Sequence, residues 1–189
     1  MPSARDERMS YQCLESPIGP LLIAADGKGL REIRFLGREI PTIPTEWEEA
    51  DADTKAGSIV ERTVTQLREY FAGKRRSFRL PLAPRGTEFQ QSVWDALCGI
   101  GYGEIVSYGE IAKRVGSPQA SRAVGAANGS NPIPIVIPCH RVIGASGMLT
   151  GYGGGLDIKE HLLRLEGVPV KTGDSRKSRV PADQMRLML

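Results

Sequence analysis

Apolar residues come in short runs over positions 11–36: YQCLE, then LLIAAD, then LREIRFL, separated by SPIGP and GKG. Alternating or β-branched runs of this length, broken by Gly and Pro, predict a small antiparallel sheet. The pattern then changes. Residues 37–57 hold acids, Pro and Thr without an apolar repeat, and predict a loop with a short helix near Trp47. From 58 to 72, Ile59, Val60, Val64, Leu67, Tyr70 and Phe71 recur at helical spacing, and Gly73 ends the run. Pro81 and Pro84 mark residues 78–86 as a strand passing into a linker.

Helix punctuation dominates the second half. TEFQ at 87–90 is a capping box, with Thr at the N-cap and Gln three residues on. It opens a helix carrying Phe89, Val93, Trp94 and Leu97. SYGE at 107–110 is a second box, with Ser107 at the cap of a helix running to Val115 and closed by Gly116. SPQASRAVGAAN puts Ser117 at an N-cap and Pro118 at the first helical position, so a third helix is expected to start at once. Two short helices joined by a tight Gly-Ser turn predict a helix-turn-helix. The third helix is made of small residues, Ala120, Ala123, Gly125, Ala126 and Ala127, with Arg122 its only charge. Such a helix can lie very close to a partner surface or pack tightly on other helices. After it come GSNPIP, an expected buried strand IVIP, a turn at ASG, the glycine-rich TGYGGG, and a last helix with Asp157 as its expected N-cap.

The chain has 189 residues, 40% hydrophobic and 25% charged, which fits one large or two small globular domains. No apolar run reaches the 18 residues of a membrane span. MPSARDERMS has charges but no apolar core behind them, so no secretory signal is read there and a cytoplasmic protein is expected. Three cysteines, Cys13, Cys98 and Cys139, make a poor disulfide framework. With only His140 and His161 and no C-x-x-C, no metal and no cofactor is expected.

Net charge is +3 and is unevenly spread. Residues 74–85 hold five bases and no acid, and residues 46–53 five acids and no base. Residues 171–189 hold five bases and two acids and are expected to form a solvated, mobile basic tail. No domain is basic enough to announce nucleic acid by composition alone. DNA binding must rest on placed residues.

NGSNPIPIVIPCHR, residues 128–141, carries the chemistry. A lone cysteine is usually a small core residue. Here His140 is adjacent and could take the thiol proton directly or through a water. Arg141 adds positive charge that favours thiolate. Pro138 stops the strand, so the thiol sits where pairing ends. The carboxylate that would complete such a set must come from elsewhere in the chain.

GTEFQQSVWDAL, GYGEIVSYGEIAKRVG, RAVGAANGSNPIPIVIPCHRVIG, LTGYGGGL and KEHLLRLEG cover residues 86–167 nearly without gaps. In these stretches the chain resembles the methylated-DNA–protein-cysteine methyltransferases, also called O6-alkylguanine-DNA alkyltransferases. SPIGPLLIAAD and GLREIRF match more loosely. The resemblance implies an α/β N-terminal domain over 1–85, a ribonuclease-H-like small antiparallel sheet plus helix with a linker. It implies a mainly helical winged helix-turn-helix domain over 86–170, with the tail 171–189 beyond. It further implies single-turnover transfer of the alkyl group from O6 of alkylguanine, and O4 of methylthymine, onto Cys139.

By the same resemblance His140 relays the proton through a water, Glu166 orients that histidine and supplies the missing carboxylate, and Asn131 braces the turn before the active-site strand. Tyr108 turns the nucleotide out and donates to the base. Arg122 fills the gap left in the base stack, and Tyr152 with Gly153 and Gly154 walls the pocket. Small Ala123 and Ala126 suit close approach in the minor groove of duplex DNA, about 6 Å wide. Arg141 and the helix starts at Ser107 and Ser117 complete the substrate- and DNA-facing set, the helix starts because amides there bind phosphate. A monomer is expected. Gly101 stands where many relatives have Pro.

Two other classes would use the same residues. A reader would bind alkylated bases without repairing them, and a cysteine hydrolase would use Cys139, His140 and Glu166 with turnover. A stable methyl adduct on Cys139 separates transfer from both.

Overall fold

The computed structural model describes residues 8–37, 42–171 and 178–181. It divides into two compact units, residues 1–85 and 86–189. No helix among the described residues is long and apolar enough to cross a membrane.

In the first unit, β1 (Ser10–Leu14), β2 (Leu21–Asp26) and β3 (Gly29–Phe35) follow the three predicted runs and pair antiparallel. All six residues of β2 are buried, between β1 and β3 and under α1. Helix α1 (Lys55–Phe71) packs its Ile59, Val60, Val64 and Leu67 face on these strands.

The sheet departs from expectation at its edge. A fourth strand, β4 (Glu48–Glu49), lies parallel to β1, so the sheet is mixed, with order β3-β2-β1-β4. The short helix expected near Trp47 is absent: Glu48 donates to the Met9 carbonyl and Ala50 to that of Tyr11, which draws the acidic segment out as an edge strand. Its side chains stay in water. Helix α1 also starts three residues early, because the Thr54 hydroxyl accepts from the Gly57 amide at 3.0 Å and caps it. Gly57 has no room for a side chain, since a Cβ there would stand 2.0 Å from the Asp51 carbonyl oxygen. Of the strand expected over 78–86, a single bridge from Leu82 to Leu30 forms.

In the second unit, α2 (Glu88–Cys98) begins with the predicted capping box, both reciprocal bonds of Thr87 and Gln90 being present. Trp94 donates from its indole to the Ala127 carbonyl at 2.8 Å, joining α2 to α4 (Ser121–Gly129). Helix α3 (Tyr108–Arg114) is capped by the Ser107 hydroxyl. Ser117 does not cap α4. Its carbonyl accepts from the Ala120 amide, so residues 117–120 form a turn and the helix starts three residues later than expected.

Val106–Ser107 (β5) and Val142–Ile143 (β6) form a short parallel ladder. Helix α5 spans Leu156–Leu165, with Gly155 at its N-cap at φ +92° rather than Asp157, which falls within the first turn. Of the basic tail, residues 172–177 and 182–189 lie outside the described residues. Val180 contradicts the expectation of a solvated arm: it is buried with Ile105, Ile143, Leu149, Leu163, Val168 and Val170.

Candidate functional site

The chain reaches Cys139 through a buried loop, not a strand. Asn131 donates from Nδ2 to the Ile137 carbonyl at 2.8 Å and accepts from the Ile133 amide at 3.0 Å. One side chain thus clasps both ends of the NPIPIVI turn. Ile135 sits at φ +74°, a conformation costly for a β-branched residue, and a one-residue bridge joins Pro134 to Ile137. Ile133 to Ile137 are buried, so the apolar run is core as predicted, but wound into a turn. After Pro138 the chain makes one turn of 3₁₀ helix, Cys139–Arg141. Cys139, His140 and Arg141 are all buried there.

Glu166, at the end of α5, gathers this turn. Its Oε1 lies 2.8 Å from His140 Nε2 and accepts from Arg141 Nη2 at 2.9 Å. Its Oε2 accepts from Arg141 Nε at 2.8 Å and from the Gly103 amide at 3.0 Å. Burial alone would raise this carboxyl, but the bonds from His140 and Arg141 outweigh it and hold it well below the usual carboxylate range. Glu166 is therefore a fixed anion. Bonded to it, His140 Nε2 carries the hydrogen, which leaves Nδ1 as the acceptor; Nδ1 is buried and has no hydrogen-bond partner among the described residues. Burial lowers the His140 pKa, so the ring is neutral and ready to take a proton.

Arg141 does something other than expected. Its guanidinium is committed to Glu166, to the Ile100 carbonyl at 2.6 Å and to the face of Tyr102, 5.9 Å away. It braces the carboxylate rather than favouring a thiolate. Burial raises the Cys139 pKa, against the sequence expectation, with Asn131, Lys159 and Tyr152 acting the other way. The resting group is a thiol, and its proton must be taken by a base.

Sequence reasoning missed Lys159. Its Nζ donates to the Val142 carbonyl at 2.7 Å and the Thr150 carbonyl at 3.0 Å. Burial pulls its pKa down to about 8, and Cys139 works in the opposite sense. The signal was available: Lys159 falls at helical spacing with buried Leu162 and Leu163. Thr150 was missed too. It donates through Oγ1 to the Tyr108 hydroxyl at 3.1 Å, linking the glycine-rich segment to α3. Burial raises the Tyr108 pKa, which keeps its hydroxyl protonated as a donor.

Helix α4 presents two faces. Val124, Ala127 and Asn128 are buried, whereas Arg122, Ala123 and Ala126 are exposed. The small residues at 123 and 126 therefore do not pack on another helix within this unit. Gly125 lies under Tyr108, where an added Cβ would be 3.9 Å from the ring. Gly153 is exposed and Tyr152 and Gly154 are half-buried. Ser117 stands apart, in the α3–α4 turn. Cys13 and Cys98, read as core residues, are exposed. No group of three or more His, Cys, Asp or Glu that could hold a metal occurs among the described residues.

Residues 88–168 match the family described as 6-O-methylguanine DNA methyltransferase, DNA binding domain. Residues 9–84 match its ribonuclease-like domain. A methylated-DNA–protein-cysteine methyltransferase of Methanosarcina acetivorans is 55% identical over 160 residues, 84% of this chain and 99% of its own length. One from Mycobacterium tuberculosis is 50% identical over 173 residues, 92% of this chain and 95% of its own. Among solved structures, the M. tuberculosis O6-methylguanine methyltransferase matches with a TM-score of 0.74 at 48% identity, covering 95% of this chain and 99% of that one. An M. tuberculosis OGT crystallised in complex with DNA matches with a TM-score of 0.73 at 52% identity, covering 84% and 93%.

Proposed function

The chain belongs to the 6-O-methylguanine DNA methyltransferase family, and from that premise we propose that it repairs DNA by moving the alkyl group of O6-alkylguanine, or of O4-methylthymine, onto its own Cys139, once per molecule. The observation that carries this is the buried sequence Cys139-His140 with His140 Nε2 held 2.8 Å from the Glu166 carboxylate. A thiol whose pKa is raised is a weak nucleophile until a base removes its proton. His140 Nδ1 is that base, directly or through one water, and Glu166 stabilises the imidazolium that forms.

The sulfur electron pair forms the new S–C bond as the C–O6 bond breaks, leaving its electrons on the base. The thiol proton goes to His140. Tyr108 gives a proton to the departing guanine and is reprotonated by the proton that His140 took from the thiol, relayed through water, so charge balances and His140 returns to neutral. The thioether is not hydrolysed and the protein is spent.

A base inside a duplex cannot reach a buried thiol, so the nucleotide turns out of the helix at a cost of roughly a few kcal/mol, less for a damaged pair. The exposed small-residue face of α4 suits the minor groove, with Arg122 filling the vacated stack and Tyr152 with Gly153 and Gly154 covering the extruded base. Phosphates are held by amides at the start of α3, at Ser107, as much as by Lys and Arg.

The test is Cys139→Ser. A hydroxyl ionises far less readily than a thiol, so transfer from methylated duplex should vanish while duplex affinity stays near wild type. Alkyl adduct on the variant would assign the acceptor elsewhere.

A further inference from the structure

Residues 178–180 form the middle rung of a small ladder. On one side the Lys171 amide donates to the Arg179 carbonyl at 2.9 Å and the Arg179 amide to Lys171 at 3.1 Å. On the other, the Leu149 amide donates to the Ser178 carbonyl and the Val180 amide to Gly147, both at 2.9 Å, around an antiparallel bridge from Met148 to Arg179. The Ser178 hydroxyl adds a bond to Glu160 of α5 at 2.7 Å. Val180, 1% exposed, anchors the rung in the core beside Leu149.

What this rung holds leads straight to the thiol. Thr150 follows Leu149. Its hydroxyl meets Tyr108, its carbonyl accepts Lys159, and two residues on Tyr152 faces Cys139. Between Gly147 and Gly155 five of nine residues are glycine, so this stretch has little side-chain packing to fix it and much backbone freedom to lose. Its order has to be imposed from outside, and at its N-terminal end that falls to residues 178–180 together with the Gly144 amide, which donates to the Met148 carbonyl at 2.9 Å.

We propose that residues 178–180 are a positioning strap for alkyl transfer. They fix the loop through Leu149 and so set how tightly the alkylated base is held against Cys139. The inference rests on reading residues 150–155 as the pocket wall. None of the strap residues touches the reacting atoms. The effect should fall on base binding and leave the Cys139–His140–Glu166 chemistry intact.

The test uses the full chain carrying Val180→Asp, the milder Val180→Ala, and Val180→Ile as the conservative control. Single-turnover transfer from free O6-benzylguanine is followed against its concentration. Val180→Asp should raise the half-saturating concentration by about tenfold, below the roughly 10²-fold that a distant 1 Å misplacement can cost. The limiting rate and the affinity for undamaged duplex should stay near wild type. Val180→Ala should show the same split, reduced, and Val180→Ile should restore wild-type behaviour. Amide exchange at Leu149 should quicken in Val180→Asp while Val142 and Ile143 stay protected. If Val180→Asp does not fold, Val180→Ala decides. An unchanged half-saturating concentration in a folded variant, or equal losses in limiting rate, base binding and duplex affinity, overturns the proposal. Failure of the wild type to alkylate at all would overturn the transfer reading instead, and Leu149 exchange would still judge the strap.

Discussion

Arg141 grips Glu166 with two donors on one edge of its guanidinium, Nε to Oε2 at 2.8 Å and Nη2 to Oε1 at 2.9 Å, on the same carboxylate that holds His140. The histidine is thus oriented by an anion that is itself oriented. A two-pronged bond of this kind fixes a plane, which a single lysine ammonium cannot do. Arg141→Leu should destabilise the second unit by about 3–5 kcal/mol, because a buried carboxylate is left short of its charge partner. Arg141→Lys should recover part of that stability but keep a slowed transfer rate. Denaturant unfolding and single-turnover rates on the pair of variants check this, and a fully active Arg141→Lys would show that the plane of the carboxylate does not matter.

Glu166→Gln should slow transfer by at least about tenfold and by no more than the roughly 10²–10⁴-fold that a positioned acid or base contributes. The amide can still bond His140 but cannot stabilise its imidazolium. Duplex affinity should not change, since α3 and α4 are untouched. An unchanged single-turnover rate would remove Glu166 from the proton path.

Lys159 gives the protein a distinctive alkaline behaviour. Its pKa in the fold is about 8. In the unfolded chain a lysine keeps its proton to about pH 10.4, so between the two the unfolded state binds more protons and stability rises with pH. The shift corresponds to about 3 kcal/mol, gained over that window and absent below pH 8. Unfolding free energies of wild type and Lys159→Met, measured from pH 7 to 10, should therefore converge or cross as pH increases, with wild type gaining. Parallel curves would mean that Lys159 keeps its ordinary pKa.

Arg122→Ala should weaken repair in duplex DNA far more than reaction with free O6-benzylguanine. Arg122 is exposed on α4, and in the proposed reaction it would have a base stack to enter only once a nucleotide has left it. Equal losses on both substrates would indicate damage to the fold of α4.

The contrast between Thr87 and Ser117 shows what could be read from the chain. At Thr87 the cap residue, its Gln90 partner and the apolar repeat agree, and the helix starts where they place it. At Ser117 a cap residue and a proline point the same way but the apolar repeat begins only near Val124, and a turn takes residues 117–120. The IVIP run shows a second limit. Apolar composition revealed burial but not conformation, because the clasp of Asn131 on Ile133 and Ile137 is a side-chain effect that no periodicity carries. Cys139 and His140 stand out by their adjacency at the end of the apolar run, whereas Glu166 could be named only through the family resemblance, since it meets His140 across 26 residues of chain. Lys159, Thr150 and the packing of Val180 depend on tertiary contacts alone. Their residue types read as surface helix, loop and tail.

The central claim is that Cys139 keeps the alkyl group. Intact-protein mass after incubation with a duplex carrying one O6-methylguanine, followed by peptide mapping, addresses it directly. The account predicts a stable gain of one methyl group per molecule, on the peptide containing Cys139, with the DNA returned to plain guanine. An unchanged protein mass contradicts it: with free methanol and repeated turnover the site would be a hydrolase, and with tight binding to unrepaired DNA it would be a reader.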